Sequence, residues 1–253
     1  MMGKMEQFIR SLEGSYDNFL QVWKEQTEDA IHRDEVDQLH QHVHVKCKPR
    51  AEYGLAFDVE YYSGRNNETQ IRKTTLRFTQ DENEQYALSV DEGEKFKIHL
   101  LENGFETELP FIKLSDNVLE ITDQGVYEKN KGYRLLRCRY FSGWFQYPDP
   151  SDPETELYLR NLEIHDQGGM TEVHIADQDY TVELTQLIFA HKIDLMKIAI
   201  YDVPMKEVGI NSKAISYAWT SPDAKRLGIN LRKIISGWTY IEQGFLSSNN
   251  LNS

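Results

Sequence analysis

Residues 42–49, HVHVKCKP, decide the fold class. In an extended chain successive side chains alternate between two faces, so His42 and His44 share one face while Val43, Val45 and Cys47 share the other. With His40 two positions earlier, this is a three-histidine ladder opposite an apolar row. The ladder admits three readings: the polar face of an ordinary strand, part of the lining of a ligand cavity, or a metal site, since two imidazoles two positions apart on a strand can ligate one ion.

Before this stretch the pattern is helical. Phe8, Leu12, Tyr16, Phe19 and Trp23 recur at steps of three and four, which predicts one amphipathic helix from about Glu6 to about Glu28. After it, short alternating runs take over, from LAFDVEYY at 55–62 and IRKTTLRFT at 71–79 to a last one near RKIISGWTYIE at 232–242. Asn66-Asn67, Asn103-Gly104 and Gly168-Gly169 are among the breakers between them. One helix followed by about a dozen short strands implies a mainly β, antiparallel chain, most economically a closed barrel with the helix covering one end. The expected organisation is a single barrel domain over 1–253, with PDPSDPE (148–154) as a rim loop because its prolines cannot serve a central strand. The alternative is a split into two β modules near residue 150.

Composition narrows the partners. The chain of 253 residues is 40% hydrophobic, enough for a real core. With 28 Lys and Arg against 41 Asp and Glu its formal charge is −13, which argues against nucleic acid and anionic membrane as partners. No stretch approaches the roughly 18 apolar residues of a spanning helix, and the N-terminus lacks a signal-peptide core. A cytoplasmic protein is expected. Cys47 and Cys138 make neither a disulfide framework nor a multi-cysteine zinc site. Walker, dinucleotide-binding, zinc-protease and nucleophile-elbow motifs are all missing from the sequence, which removes the common nucleotide and hydrolase readings.

Three further clusters carry possible chemistry. In NLEIHDQGGMTEV (161–173), His165 and Asp166 precede two glycines. They are either an acid and base at the lip of a cavity or a tight hairpin turn. In TQIRKTTLRF (69–78), Arg72 and Arg77 would suit a ligand bearing carboxylates, and a solvated strand face is the plainer reading. Cys138 lies between Arg137 and Arg139, which on a strand point to the opposite face, so it reads as a small buried hydrophobe.

The N-terminal third resembles the T-type phycobiliprotein chromophore lyases, the CpcT/CpeT family. Tyr16, Asn18 and Gln21 in GSYDNFLQ keep the family's aromatic-Asn-Gln spacing, and His42 to Pro49 keeps its first strand, which runs from histidine to proline. FDVEYY at 57–62 matches the following strand with an aromatic end. The family's Tyr-Arg-x-Arg element falls on IRKT (71–74), where Arg72 fits while Ile71 and Thr74 depart. The resemblance covers residues 8–80.

It implies a calycin-like, lipocalin-like barrel that binds a linear tetrapyrrole such as phycocyanobilin and attaches it to a cysteine of a phycobiliprotein subunit. It also implies a place in the cyanobacterial cytosol or plastid stroma. Arg72 and Arg77 would then hold the propionates, Tyr61 and Tyr62 would stack on the conjugated body, His42 and His44 would engage the pigment, and Asp166 would protonate it. Because of the departures at Ile71 and Thr74, a non-catalytic calycin-like binding or assembly factor for a photosynthetic complex is the alternative. Homodimerisation is compatible with either.

Overall fold

A computed structural model describes residues 3–28, 40–50, 55–65, 69–81, 85–107, 112–122, 132–189, 193–209 and 211–242. The chain is mainly antiparallel β and divides into two compact units, residues 1–138 and 139–253.

The first unit begins with a departure from the expected single helix. Helix α1 (Lys4–Arg10) ends at Ser11, a short strand β1 (Gly14–Asp17) follows, and helix α2 (Phe19–Glu28) starts only after it. The apolar spacing ran through all three elements and concealed the break. The breakers are Gly14, whose φ of 144° suits glycine, and Asp17, whose Oδ1 accepts the Phe19 N–H at 2.7 Å and so starts α2.

Nine further strands complete a closed barrel. They are β2 (Val43–Pro49), β3 (Ala56–Ser63), β4 (Thr69–Gln80), β5 (Tyr86–Val90), β6 (Lys95–Leu101), β7 (Gly104–Thr107), β8 (Ile112–Ser115), β9 (Val118–Thr122) and β10 (Gly132–Arg137). Neighbours from β2 to β10 pair in chain order, and β1 closes the ring between them, with Tyr16 opposite Val45 on one side and Arg137 on the other. Closure leaves no sheet edge within the barrel. Its interior is filled by Val43, Val45, Phe57, Leu76, Phe78 and Phe105, and α1 covers one end by sending Ile9 into the same core. Phe78 stacks edge-on against both Phe57 and Phe105.

The second unit is a pair of four-stranded sheets, so the chain is not one barrel through to residue 253. One sheet has the order β12 (Glu156–His165), β11 (Tyr140–Pro148), β18 (Ile234–Ile241), β17 (Arg226–Leu231). The other runs β13 (Gln167–Ile175), β14 (Gln178–Phe189), β15 (Ile193–Tyr201), β16 (Ser216–Thr220). Phe141, Phe145 and Trp238 from the first sheet share a core with Val182, Leu184, Met196 and Ile198 from the second. That is a sandwich. The proline-rich loop expected at a rim or boundary joins β11 to β12, with Pro148 directly opposite Glu156, so it is a hairpin connection inside this unit.

Residues 165–169 are also not the hairpin turn their Asp-Gln-Gly-Gly sequence suggested. β12 and β13 belong to different sheets, and the chain changes sheet at Asp166. Gly168 has φ 73°, and a Cβ on Gly169 would stand 2.6 Å from the His165 carbonyl oxygen, so the glycines serve a sharp corner. The true β13–β14 hairpin turns at Ala176-Asp177, both at positive φ, with no glycine to announce it.

A reciprocal pairing fixes the first sheet. Gly143 lies opposite Trp238 and Trp144 opposite Gly237. Trp238, fully buried, fills the inner side of Gly143, so a Cβ there would collide with its ring. Gly143→Ala is expected to cost about 1–3 kcal/mol by overpacking, read as a lowered urea midpoint.

Among the described residues no helix is long and apolar enough to cross a membrane.

Candidate functional site

The histidine ladder faces away from the barrel core, as its alternation with Val43, Val45 and Cys47 required. It is not a solvated face. His44 is fully buried, and each histidine meets a carboxylate. The missing partner is Asp17, which register places opposite His44 on the neighbouring strand. Asp17 is fully buried; its Oδ1 lies 2.5 Å from His42 Nε2 and its Oδ2 lies 3.0 Å from His44 Nδ1. His40 precedes the strand and docks on α2, its Nδ1 2.7 Å from Glu25 Oε1.

Electrostatics follow from this geometry. Burial alone would raise the Asp17 carboxyl, and the imidazoles of His42 and His44 more than reverse that, holding it well below the usual carboxylate range. Burial pushes His44 below its ordinary value of 6.5 against the pull of Asp17, so it stays neutral. Each Asp17 carboxylate oxygen meets one imidazole nitrogen, so this trio is a buried hydrogen-bonded network that ties β1 to β2.

Below 6.5 the unfolded chain takes up a proton on residue 44 that the folded chain refuses, so stability is lost as pH falls. The depressed Asp17 acts with the same sign at lower pH: its contribution is present above its unfolded value and is lost as pH falls through the folded one. The unfolding free energy obtained from urea denaturation is expected to fall between pH 7 and 5 with a slope of up to about 1.4 kcal/mol per pH unit. His44→Gln is expected to flatten that slope.

The residues of the family pattern lie in the same region and act as clips. The Asn18 amide spans the approach to β2, accepting from Val43 N at 2.8 Å and donating to Gln41 O at 3.0 Å. The Gln21 amide bonds β10 through Arg134 N at 3.1 Å and Gly132 O at 3.3 Å. Tyr16 sits in the barrel core, its hydroxyl bonded to Leu12 O and to the Arg137 guanidinium.

The proposed ligand contacts fall on two faces of the barrel wall. Tyr61 packs against the interior cluster, whereas Tyr62 turns outward, donating to Glu60 Oε2 at 2.8 Å, with its ring edge-on to His44. Burial and the adjacent Glu60 carboxylate push the Tyr62 phenol up to about 12. Arg72 stands directly opposite Tyr61, on the same face of β4 as inward Leu76 and Phe78, and lies 3.6 Å from Asp91 Oδ2. Arg77, an odd number of residues on, faces outward and donates to Glu92 at 3.2 Å. Arg72 and Arg77 therefore do not form one clamp. Tyr61 and Arg72 do form a cross-strand pair.

Asp166 occupies the sheet-changing corner of the second unit and is fully buried. Its Oδ1 accepts from Arg139 N at 2.9 Å, and its Oδ2 accepts from Arg139 Nε and Gln186 Nε2, both at 2.7 Å. Burial raises its carboxyl, opposed by the donors and charge of Arg139. An acid at an open lip is not what these contacts describe. They describe a strut. Cys138 is buried, as expected of a small hydrophobe, and burial pushes the Cys47 thiol up to about 12, so Cys47 is a poor nucleophile.

Comparison with protein-family models, curated proteins and solved structures found no match.

Proposed function

We propose that the first unit is a calycin-like bilin-binding protein, holding a linear tetrapyrrole at the barrel rim for delivery to a phycobiliprotein cysteine. The observation that carries this reading is the Tyr61–Arg72 pair. An aromatic ring and a guanidinium side by side on the inward face match a planar conjugated ring and its carboxylate. Arg72 is partly exposed and its contact with Asp91 is long, so a ligand carboxylate can compete for it. On this reading the protein positions the pigment while the acceptor thiolate adds to it, and no proton from Asp166 is needed. Its place would be the cyanobacterial cytosol or plastid stroma, with a phycobiliprotein subunit as partner.

A second reading, a non-catalytic assembly or binding factor, is favoured by the filled interior. Phe57, Phe78 and Phe105 occupy the space where a lipocalin-type ligand would lie.

Titration with phycocyanobilin separates the two. Arg72→Ala is expected to weaken binding about tenfold or more, as loss of a charge-assisted hydrogen bond does, with Arg77→Ala unchanged because it faces the other way. Equal effects of the two substitutions would remove the rim pair from the account. Transfer of the pigment to an acceptor subunit distinguishes a lyase from a binder.

A further inference from the structure

We propose that the outer face of the β12-β11-β18-β17 sheet carries a binding site for a neutral sugar, with Trp144 as its stacking residue. This inference rests on residues 139–253 alone and stands whether or not the barrel binds a bilin.

Strand register builds the site. Trp144, Gly237 and Gly228 lie side by side across three neighbouring strands. The indole covers the first of the two glycines, so the trough is the notch one residue wide over Gly228, on the sheet-edge strand β17 beside the ring. The Nε1–Cε2–Cζ2 edge of Trp144 overlies Gly237 within 2.7–2.8 Å of where a Cβ would stand, which roots the ring on the sheet. Trp144 is nevertheless 38% exposed. Over Gly228 the space is open: an added Cβ would meet only the Ser236 carbonyl oxygen, at 3.5 Å.

The flanking rows supply the polar walls. Two residues along, register aligns Gln146, Ile235 and Asn230 on one side of the trough. On the other side stand Thr239 and Arg226. Among the described residues, the side chains of Gln146, Asn230, Thr239 and Arg226 make no hydrogen bond or ion pair, so their polar groups are available to a ligand.

This combination selects the ligand class. An exposed indole can pack against the apolar C–H side of a pyranose, and the amides on one side, with the hydroxyl and guanidinium on the other, can bond its hydroxyls. Nucleotides and other polyanions are disfavoured by the formal charge of −13. A recess one side chain wide is also too narrow for the roughly 800 Å² that each partner of a stable protein interface buries.

The test uses the full chain and tetramers of β-glucan, xylan, mannan and galactan, followed by amide and indole proton–nitrogen spectra. At least one tetramer is expected to shift the Trp144 indole and Gly228 amide signals at concentrations up to about 10 mM. Trp144→Ala and Gly228→Thr are each expected to weaken that binding about tenfold or more. Gly228→Thr is the decisive variant, because it fills the trough at a position with room for a side chain and leaves the indole in place. Absence of a shift with all four sugars, or wild-type affinity in Gly228→Thr, would overturn the proposal.

Discussion

Replacing Asp17 by alanine is expected to destabilise the first unit by about 3–5 kcal/mol, the scale for removing one partner from a buried ionic network. Three interactions disappear together. The Phe19 N–H loses its 2.7 Å acceptor at the start of α2, and the His42 and His44 imidazoles lose the carboxylate that orients them. Helix capping accounts for about 1 kcal/mol of such a loss, so most of it falls on the histidines. Asp17→Asn keeps one acceptor oxygen and is expected to recover part of it. Urea unfolding followed residue by residue through the backbone amide signals of β1 and β2 reads the change without contribution from the second unit. A loss below about 1 kcal/mol would mean that the carboxylate serves only as a cap.

The second large effect lies at Asp166. Asp166→Ala takes the carboxylate from the Arg139 guanidinium, which keeps only the Pro222 carbonyl and Met196 sulfur, and removes the acceptor that holds Arg139 N, so a loss of about 3–5 kcal/mol is expected in the second unit. The expected signature separates two roles. A strut gives a variant with a lowered unfolding midpoint, whereas a general acid gives a folded variant defective only in pigment chemistry. Asp166→Asn sets an amide N–H against donors at Arg139 Nε or Gln186, so its midpoint is expected to fall as well.

Much of the architecture was legible because it is local. Alternation in HVHVKCKP set Val43, Val45 and Cys47 on one face and the histidines on the other, and barrel closure makes the apolar face the inner one. The strand-rich pattern after residue 41 gave the antiparallel class and the closed barrel. Illegible features depend on pairing between distant segments. Asp17 sits 25 residues from His42, and only the closure of β1 against β2 brings them together. Helical spacing from Phe8 to Trp23 hid β1, although Gly14 and the cap-forming Asp17 marked the break. Gly168 and Gly169 looked like a hairpin because a sheet-changing corner needs the same residues. Ala176-Asp177 gave no such sign. The second unit repeats the short alternating strands of the barrel, so no compositional boundary marked residue 138.

Tyr61, Tyr62, Arg72 and Arg77 show the same division at the level of a site. Residue type suggested a carboxylate-bearing aromatic ligand for all four. Parity along β3 and β4 sends Tyr62 and Arg77 outward and leaves Tyr61 and Arg72 as the inward pair.

The most direct test of bilin binding is the visible absorption and circular dichroism of phycocyanobilin mixed with the purified full-length protein. A red-shifted, sharpened band with induced dichroism is predicted, since a pigment anchored at Tyr61 and Arg72 is held in one extended conformer. A spectrum equal to the sum of the separate components would contradict the account.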